Sequence, residues 1–546
     1  VGLDGIHGAT FSSVATDSNS PASAVQIGDP ITQKKLSDVI VKEARDLGLY
    51  NSITDNGAGG LSCSVAEMAR ECGGAEVNLE KVPLKYPGLR PWEIWISESQ
   101  ERMTLAVPSK NWKKFKELME SRGVEATVIG KFTSSGKCVV KYNNKKIMDL
   151  DMEFLHNGLP KHKLMTTPTS NVNNEPDLKE KKSFTQDLEK LLGEKNIAGH
   201  SFISEQYAHE VQASSVLKPV SARHRINTDA QVLKPVLDSE KGAVLSSATY
   251  PSYGDISTYD MAAAAIDTAV RNTIAAGGKL SHLALLDNFC WCSSNDPVRL
   301  GQLVDAVKAC HDYAVGYGTP FISGKDSMFN DFKGYDEKGN LVSLSIPPTL
   351  LISSIGVMPD LKKTVSPEFK NAGDVIYLLG ETNNELGGGE YLKMLARSSG
   401  GLGSVGNKVP KVNLEKNLKT YRTLELAIEK ELLNSAISVN SGGLAIALAK
   451  ASVGGMLGCN ISVKNLPGNT SSVQAKLFSE SQGRILVSVS PKNVSKFEKI
   501  TAHIPKVRLG RILGTNKFII TDDKKVVDTS VKNLYKIYHS FSESMK

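Results

Sequence analysis

The chain carries one unit twice, and no other feature constrains its fold as much. The first copy begins Thr54-Asp55-Asn56-Gly57-Ala58-Gly59-Gly60-Leu61 and continues to Ser97-Glu98-Ser99-Gln100-Glu101-Arg102. The second begins Asn440-Ser441-Gly442-Gly443-Leu444 and continues to Ser479-Glu480-Ser481-Gln482-Gly483-Arg484. Ser97 lies 36 residues after Leu61, and Ser479 lies 35 after Leu444. Downstream, Pro108-Ser109-Lys110-Asn111-Trp112 with Phe115 is answered by Ser490-Pro491-Lys492-Asn493-Val494 with Phe497. Ile129-Gly130-Lys131 is answered by Leu509-Gly510-Arg511. These landmarks keep their order at a near-constant offset, which marks an internal duplication. Solenoid repeats have periods of about 20–50 residues, so the repeated object is a whole domain.

Each copy has a readable local structure. In the first, Gly-Gly opens an apolar run at helical spacing (Leu61, Val65, Met68, Cys72) that Gly73-Gly74 stops. In the second, Leu444, Leu448 and Ala451 stop at Gly454-Gly455. After Glu-Ser-Gln, alternation at Met103, Leu105 and Val107, and at Ile485, Val487 and Val489, predicts a strand. Glu-Ser-Gln therefore stands at a strand mouth and the glycines at a helix N-terminus. Free N–H groups and the helix dipole suit an anion there. A tight turn accounts for the glycines equally well.

In chain order, residues 1–24 read as loop, and 25–155 as the first repeated domain. In it Asp29 and Pro30 are N-cap and first helical residue, and Leu36, Val39, Ile40 and Leu47 form a stripe ending at Gly48. Residues 156–212 read as a linker with a short helix at Asp187–Leu192. Residues 213–365 form a different domain. It has a helix over Tyr259–Ala276, a strand Leu283–Leu286 running into Asp287-Asn288, and a helix over Leu300–Val315. A second strand, Thr319–Ser323, runs into Gly324-Lys325-Asp326-Ser327. Polar signatures thus twice follow short buried strands, where α/β folds place their sites. Residues 366–546 are the second repeated domain, with a strand through Tyr377–Leu379 and a glycine loop, Asn384–Glu390, opening a helix.

A chain of 546 residues with 40% hydrophobic and 23% charged content is an ordinary multidomain globular protein. Its net charge of +7 is spread without a Lys/Arg-aromatic cluster, which argues against nucleic acid. Seven cysteines without a CxxC pair read as reduced thiols in a cytoplasmic protein. No run approaches the roughly 18 apolar residues of a membrane span. Walker A, GxSxG, HExxH and EF-hand signatures are absent, as is an amidotransferase-type cysteine. Asp55 beside glycine is a turn former or a ligand for Mg²⁺, which wants carboxylate oxygen. Glu98, Ser99 and Gln100, like Asp287 and Asn288, bind a polar ligand or cap a strand. In Gly324-Lys325-Asp326-Ser327, glycine allows close backbone approach and lysine brings the charge that phosphate binding needs.

With these motifs the chain resembles the phosphoribosylformylglycinamidine synthases (FGAM synthases). The likeness is carried by Asp4 to Phe11, Val25 to Pro30, Asp55 to Leu61, Ser97 to Arg102, Gln206 to Gln212, Leu285 to Asn288, Gly324 to Asn330 and Glu385 to Tyr391. They run in family order over nearly the whole chain. The resemblance implies an α+β, duplicated AIR-synthetase-like architecture with lobes in the order C-type, N-type, C-type. The first N-type lobe would be missing, residues 1–24 being its trailing loop, and Val1 would enter in mid-protein. It implies ATP-dependent conversion of formylglycinamide ribonucleotide to its amidine through an iminophosphate, with Mg²⁺. Ammonia would come from a separate glutaminase subunit, with a small coupling subunit. By resemblance, Gln26, Glu98, Ser99, Gln100 and Ser327 would bind substrate, Asp287, Gly324 and Lys325 ATP, and Asp55 the metal. The family often has Asn, a Mg²⁺ ligand, where Lys325 stands. The catalytic histidine would lie upstream of Val1 and would not be His7, so the lone chain would be inactive. Ser438-Val439-Asn440-Ser441-Gly442-Gly443 lacks the acids usual there, so a second nucleotide site would bind Mg²⁺ poorly. The rivals are another ATP-using enzyme of the superfamily, against which the duplication counts, and a catalytically silent scaffold.

Overall fold

The computed structural model describes residues 1–6, 15, 28–168, 174–206, 209, 213–398 and 405–545. Gln26, His7 and most of the Gln206–Gln212 motif fall outside the described residues. The chain forms two compact units. One is Val1–Leu164 with Met328–Ser345, and the other is Met165–Ser327 with Ile346–Lys546.

The first helix among the described residues of the first unit is α1 (Pro30–Val39), which Asp29 caps by accepting from Ile31 N. The helix widens into a π-turn over Ile40–Ala44 and ends near Gly48, whose φ is 61°. That turn shifts the stripe: Leu36, Val39, Ile40 and Ala44 face the core and Leu47 is exposed. Next come β1 (Ser52–Asp55), α2 (Leu61–Cys72), β2 (Ala75–Asn78), α3 (Pro91–Ile96) and β3 (Met103–Ala106). They are followed by α4 (Trp112–Ser121), β4 (Gly130–Phe132), β5 (Lys137–Tyr142), β6 (Lys145–Asp151) and α5 (Met152–Asn157). On α2 the buried line is Leu61, Val65 and Ala69, while Cys72 is exposed. The 3.6-residue period drifts off the Met68–Cys72 line expected from spacing. The strands make two separate sheets, β1-β3 and β4-β2-β5-β6. A hairpin of Phe332–Tyr335 with Leu341–Leu344 belongs to the same unit.

The second unit holds two larger sheets. Its first helix, α6 (Thr185–Leu192), lies in the stretch expected to be linker. Instead, Phe184, Leu188, Leu191, Leu192 and Ile197 are built into the core of the last domain. The apolar spacing of a short helix gave that segment something to bury. One sheet orders β7 (Ser215–Leu217), β8 (Ala230–Leu233), β9 (Gly242–Thr249), β10 (Leu283–Cys290), β11 (Phe321–Ser327) and β12 (Thr349–Met358) as β11-β10-β12-β9-β8-β7. Against it lies α7 (Thr258–Ala275), of which every residue except Tyr259 is buried. Its alanines allow close packing all round, and its buried charges Asp267 and Arg271 are paired with each other. The helix α8 (Pro297–Tyr317) connects β10 to β11. The polar signatures do not follow their strands. Asp287-Asn288 and Gly324–Ser327 are inside them, because parallel pairing continues to Cys290↔Ser327.

The last domain contains β13 (Val375–Leu379), α9 (Glu390–Ser398), α10 (Leu414–Glu429), β14 (Ser435–Ser438), α11 (Gly443–Gly455), β15 (Gly458–Ser462) and α12 (Val473–Phe478). It closes with β16 (Ile485–Val489), α13 (Val494–Ile500), β17 (Lys506–Leu513), β18 (Lys517–Asp522), β19 (Lys524–Ser530) and α14 (Val531–Ser544). Its seven strands form one sheet, β14-β16-β13-β17-β15-β18-β19. No helix among the described residues is long and apolar enough to cross a membrane.

Candidate active site

The Gly-Gly turn of the first copy is fixed by its contact with the Glu-Ser-Gln segment. Gly60 has φ 58°, and a Cβ there would stand 2.0 Å from Ser97 O. Only glycine combines that backbone with that approach. Glu98 Oε1 accepts from Gly59 N at 2.9 Å. Ser97 Oγ and Ser99 Oγ are 3.0 Å apart, and Gly2 N donates to Ser99 Oγ at 3.0 Å. Arg102 ties the segment from below, donating from Nε to Ser99 O at 2.6 Å and from Nη2 to Ser97 O at 2.5 Å. Burial pulls its pKa down to about 10. Asn56 Oδ1 accepts from Ser64 Oγ at 2.6 Å and Thr104 Oγ1 at 2.9 Å, joining β1, α2 and β3.

The second copy repeats the glutamate, serine and arginine bonds of this framework; the Asn56 bonds have no counterpart, since Val439 stands at that place. A Cβ on Gly443, at φ 74°, would lie 2.5 Å from Ser479 O. Glu480 Oε1 accepts from Gly442 N at 2.7 Å, and Ser479 Oγ and Ser481 Oγ are 3.0 Å apart. Arg484 donates from Nε to Ser481 O at 2.9 Å and from Nη2 to Ser479 O at 2.5 Å. Glu98 and Ser99 are thus held by the same bonds as residues of the other copy. They shape the segment, while Gln100 and Asp55 stand exposed. Asp55 Oδ1 accepts from Gly57 N at 2.8 Å, the turn-forming bond its position favours.

Around this framework the second copy is filled. Arg271 from α7, fully buried, donates from Nε to Ser438 Oγ at 2.6 Å and from Nη2 to Asn440 Oδ1 at 2.8 Å. Its Nη1 donates to Gln482 Oε1 at 3.2 Å and also pairs with Asp267. Asp267 is saturated by Tyr421 Oη at 2.6 Å, Asn417 Nδ2 at 2.8 Å and Gly483 N at 3.2 Å, besides Tyr317 Oη. Glu480 accepts further from Glu390 N at 2.9 Å and from Tyr253 Oη, and burial raises its pKa. Where the first copy shows an open Gln100, the second has Gln482, 5% exposed and bound on both sides.

Asp287 and Gly324 meet across parallel strands β10 and β11. A Cβ on Gly324 would be 2.4 Å from Asp287 Oδ1, so glycine makes room for the carboxylate. That oxygen is sealed from solvent and has no hydrogen-bond partner. Burial raises the Asp287 pKa, the Asp326 carboxylate adds to the rise, and the Lys325 backbone N–H opposes it. Lys325 is exposed opposite Asn288, and Ser327, at the strand's end, is buried. A partnerless oxygen beside a second carboxylate fits a cation. Among the described residues no three His, Cys, Asp or Glu side chains gather into a metal site, so such a cation would draw its remaining ligands from water or phosphate.

Two domain families match the chain: the AIR synthase related protein C-terminal domain over residues 1–143 and 371–523, and its N-terminal domain over 227–346. The subunits PurL of phosphoribosylformylglycinamidine synthase from Thermoplasma volcanium and Thermococcus sibiricus are each 32% identical to it. These matches cover 98% and 99% of the chain and 68% and 72% of the relatives. The chain belongs to the PurL family of phosphoribosylformylglycinamidine synthases. This is a family of carbon–nitrogen ligases in purine biosynthesis. Solved PurL structures from Thermotoga maritima, one complexed with FGAR and one with ATP, superpose with TM-scores of 0.63 and 0.59 at 21% and 20% identity. Each covers 94% of this chain and 70% and 68% of the PurL chain, which establishes the shared α+β fold. The C-terminal family matching twice is the duplication read from the sequence. The spacing of motifs did not reveal Arg271: it lies outside both copies, and only the fold brings it to Ser438 and Gln482. Arg102 and Arg484 were visible as repeated letters. Their role required the carbonyls of Ser97 and Ser479 to turn toward them.

Proposed function

We propose that this chain contributes to the synthetase chemistry of FGAM synthase, the chain alone being expected to release no phosphate. The observation that carries the reading is the sealed, partnerless Asp287 oxygen against Gly324, with Asp326 and Lys325 on the same strand. This set of charges suits a nucleotide triphosphate with its cation. Gly324 leaves the backbone approachable, and the Lys325 ammonium supplies a compact positive charge that follows the phosphoryl group. Asp287 in the second unit is a carboxylate that would hold Mg²⁺, which when bound offsets charge on the phosphoryl oxygens, and Asp55 in the first is the metal ligand that the resemblance implies. By the family resemblance Gln100, in the first unit, and Ser327, in the second, are each a candidate ribonucleotide contact. Glu98 and Ser99 keep the Gln100 segment in place, and Gln26 adds a further contact.

In the reaction, the amide oxygen of formylglycinamide ribonucleotide attacks the γ-phosphorus of ATP and ADP leaves. Ammonia then attacks the activated carbon of the iminophosphate, and the C–O bond breaks to release inorganic phosphate. The amidine remains. A structure of PurLQS from Thermotoga maritima is known, and by the family resemblance ammonia would arrive from a separate glutaminase with a small coupling subunit. Seven free cysteines support a cytoplasmic setting. The domain division 25–155, 213–365 and 366–546 stands as part of this reading.

The test is phosphate release from ATP with formylglycinamide ribonucleotide and ammonium chloride, together with ATP binding by calorimetry. Lys325→Ala and Asp287→Asn are each expected to weaken ATP binding at least tenfold with melting unchanged or raised. ATP binding equal to the parent in both variants would move the nucleotide elsewhere.

A further inference from the structure

Asp287 and Asn288 are consecutive, and the fold sends them to opposite faces of one sheet. Both stand inside β10, which pairs with β11 on one side and β12 on the other. Asp and Asn are depleted from strands. Two of them running in an inner strand set local propensity against the fold, which marks positions kept for function.

Side chains alternate between the faces of a sheet. Leu283, Leu285 and Phe289 of β10, with Leu350 and Ile352 of β12, are buried on the face that α7 covers, where Ser354 Oγ donates to Ala269 O at 3.1 Å. Asp287 pairs with Ile352 and with Gly324 and lies on this face. The 2.4 Å from a Cβ on Gly324 to Asp287 Oδ1 agrees with a shared side. Asp326 pairs with Phe289 and shares it too. The alternate positions point the other way. Asn288 pairs with Lys325 and with Leu351, and Ser327 pairs with Cys290. Asn288, Lys325 and Ser327 therefore belong to the opposite face.

The helix-covered face thus carries two carboxylates and a glycine, which suit the cation of a nucleotide. The opposite face carries an amide, an ammonium and a hydroxyl. That set suits an uncharged polar group beside an anion, and formylglycinamide ribonucleotide presents amide N–H and C=O groups on a phosphorylated ribose. An asparagine side chain, with donors and an acceptor of its own, complements such an amide.

We propose that Asn288 is a ribonucleotide-binding residue, and that strands β10 and β11 separate the two co-substrates, ATP toward the face of Asp287 and the ribonucleotide toward the face of Asn288. The inference rests on the reading of Asp287 and Gly324 as nucleotide contacts and of Ser327 as a ribonucleotide contact. Lys325 serves both sides. Among the described strands β11 is at the sheet's edge, so the long flexible stem of this lysine reaches round it toward the phosphates. Asn288 is short and on an inner strand, and it serves one side only.

The test titrates the natural protein by calorimetry with ATP and, separately, with formylglycinamide ribonucleotide. Asn288→Ala and the isosteric Asn288→Asp are compared with Asp287→Asn. Both Asn288 variants should bind the ribonucleotide about tenfold or more weakly, the worth of one lost hydrogen bond. Their ATP affinity should stay within about twofold of the parent, which also shows that they are folded. Asp287→Asn should show the reverse pattern. Parental ribonucleotide affinity in both Asn288 variants overturns the proposal, as does a loss of ATP affinity equal to their loss of ribonucleotide affinity. A parent that binds no ribonucleotide overturns it too. Unchanged ATP binding in Asp287→Asn refutes the nucleotide reading and with it the separation by face, whereas the ribonucleotide titration upholds or refutes Asn288 by itself.

Discussion

The Gly-Gly/Glu-Ser-Gln unit at 55–102 and its copy at 438–484 have the same framework and opposite surroundings. In both, a glutamate holds the glycine turn, two serines bridge, and an arginine ties the segment to its own carbonyls. In the first copy Asp55 and Gln100 face outward. In the second, Ser438 and Gln482 at those places are bound to Arg271, whose charge Asp267 balances. The lesson is that a duplicated backbone can leave one copy's turn open and convert the other's to core. The change required is one guanidinium entering where a ligand's charges would lie. Ser438 and Asn440 are occupied by Arg271, which leaves those side chains no free face toward a ligand.

The largest way to break the comparison is Arg271→Met. It leaves Asp267 buried with an uncompensated charge, and should cost about 3–5 kcal/mol in urea unfolding of the second unit. Arg102→Met should cost closer to about 1 kcal/mol, since only carbonyl bonds are lost in a partly exposed place. Equal losses would deny that the copies differ in burial. Next come Gly60→Ala and Gly443→Ala, which should each destabilise by about 3 kcal/mol, because a left-handed backbone and a Cβ against a carbonyl oxygen act together. A tolerated Gly60→Ala with an intolerant Gly443→Ala would confine the shared framework to the second copy. Smaller still, Gln482→Ala should cost about 1–2 kcal/mol by stranding buried partners, against less than about 0.5 kcal/mol for Gln100→Ala and Asp55→Asn at the exposed positions. The last two variants should instead lose substrate or metal affinity.

The smallest effect is in pH. Asp287 has its pKa raised by burial and by Asp326. Below the ordinary carboxylate pKa both folded and unfolded chains carry the proton. As pH rises from there to the raised value, only the unfolded chain releases it, so stability falls, and it levels above. Asp287→Asn should remove that fall, a difference within about 1 kcal/mol, visible as a flatter melting temperature from acid to neutral pH. An unchanged pH profile would mean that the Asp287 carboxyl titrates normally.

Much of this was legible because it rests on local rules. Glycines that stop helices, Asp29 before Pro30, and alternation after Glu-Ser-Gln all leave marks in the chain, and doing so twice gives them weight. The domain pairing was legible for the same reason. What depends on tertiary contact left no mark. Gly324-Lys325-Asp326-Ser327 reads as a signature just beyond a strand but lies within it, since β10 supplies the pairing partner. Residues 156–212 read as linker with a short helix at Asp187–Leu192; the helix is there, over Thr185–Leu192, and the last domain's core takes it in. Glu98 and Ser99 read as ligand-binding residues, and only the identical bonds of Glu480 and Ser481 reveal their framework role. Gln26 lies outside the described residues, so its expected contact rests on resemblance alone.

The most direct test of the asymmetry is hydrogen exchange with and without formylglycinamide ribonucleotide, read separately for the two copies. Peptides spanning 55–61 and 97–102 should exchange quickly in the free protein and slow when the ribonucleotide is added. Peptides spanning 438–444 and 479–484 should be slow in both conditions, because Arg271, Asp267 and Tyr253 already cover them. Ligand-induced protection at 479–484, with none at 97–102, would contradict the account.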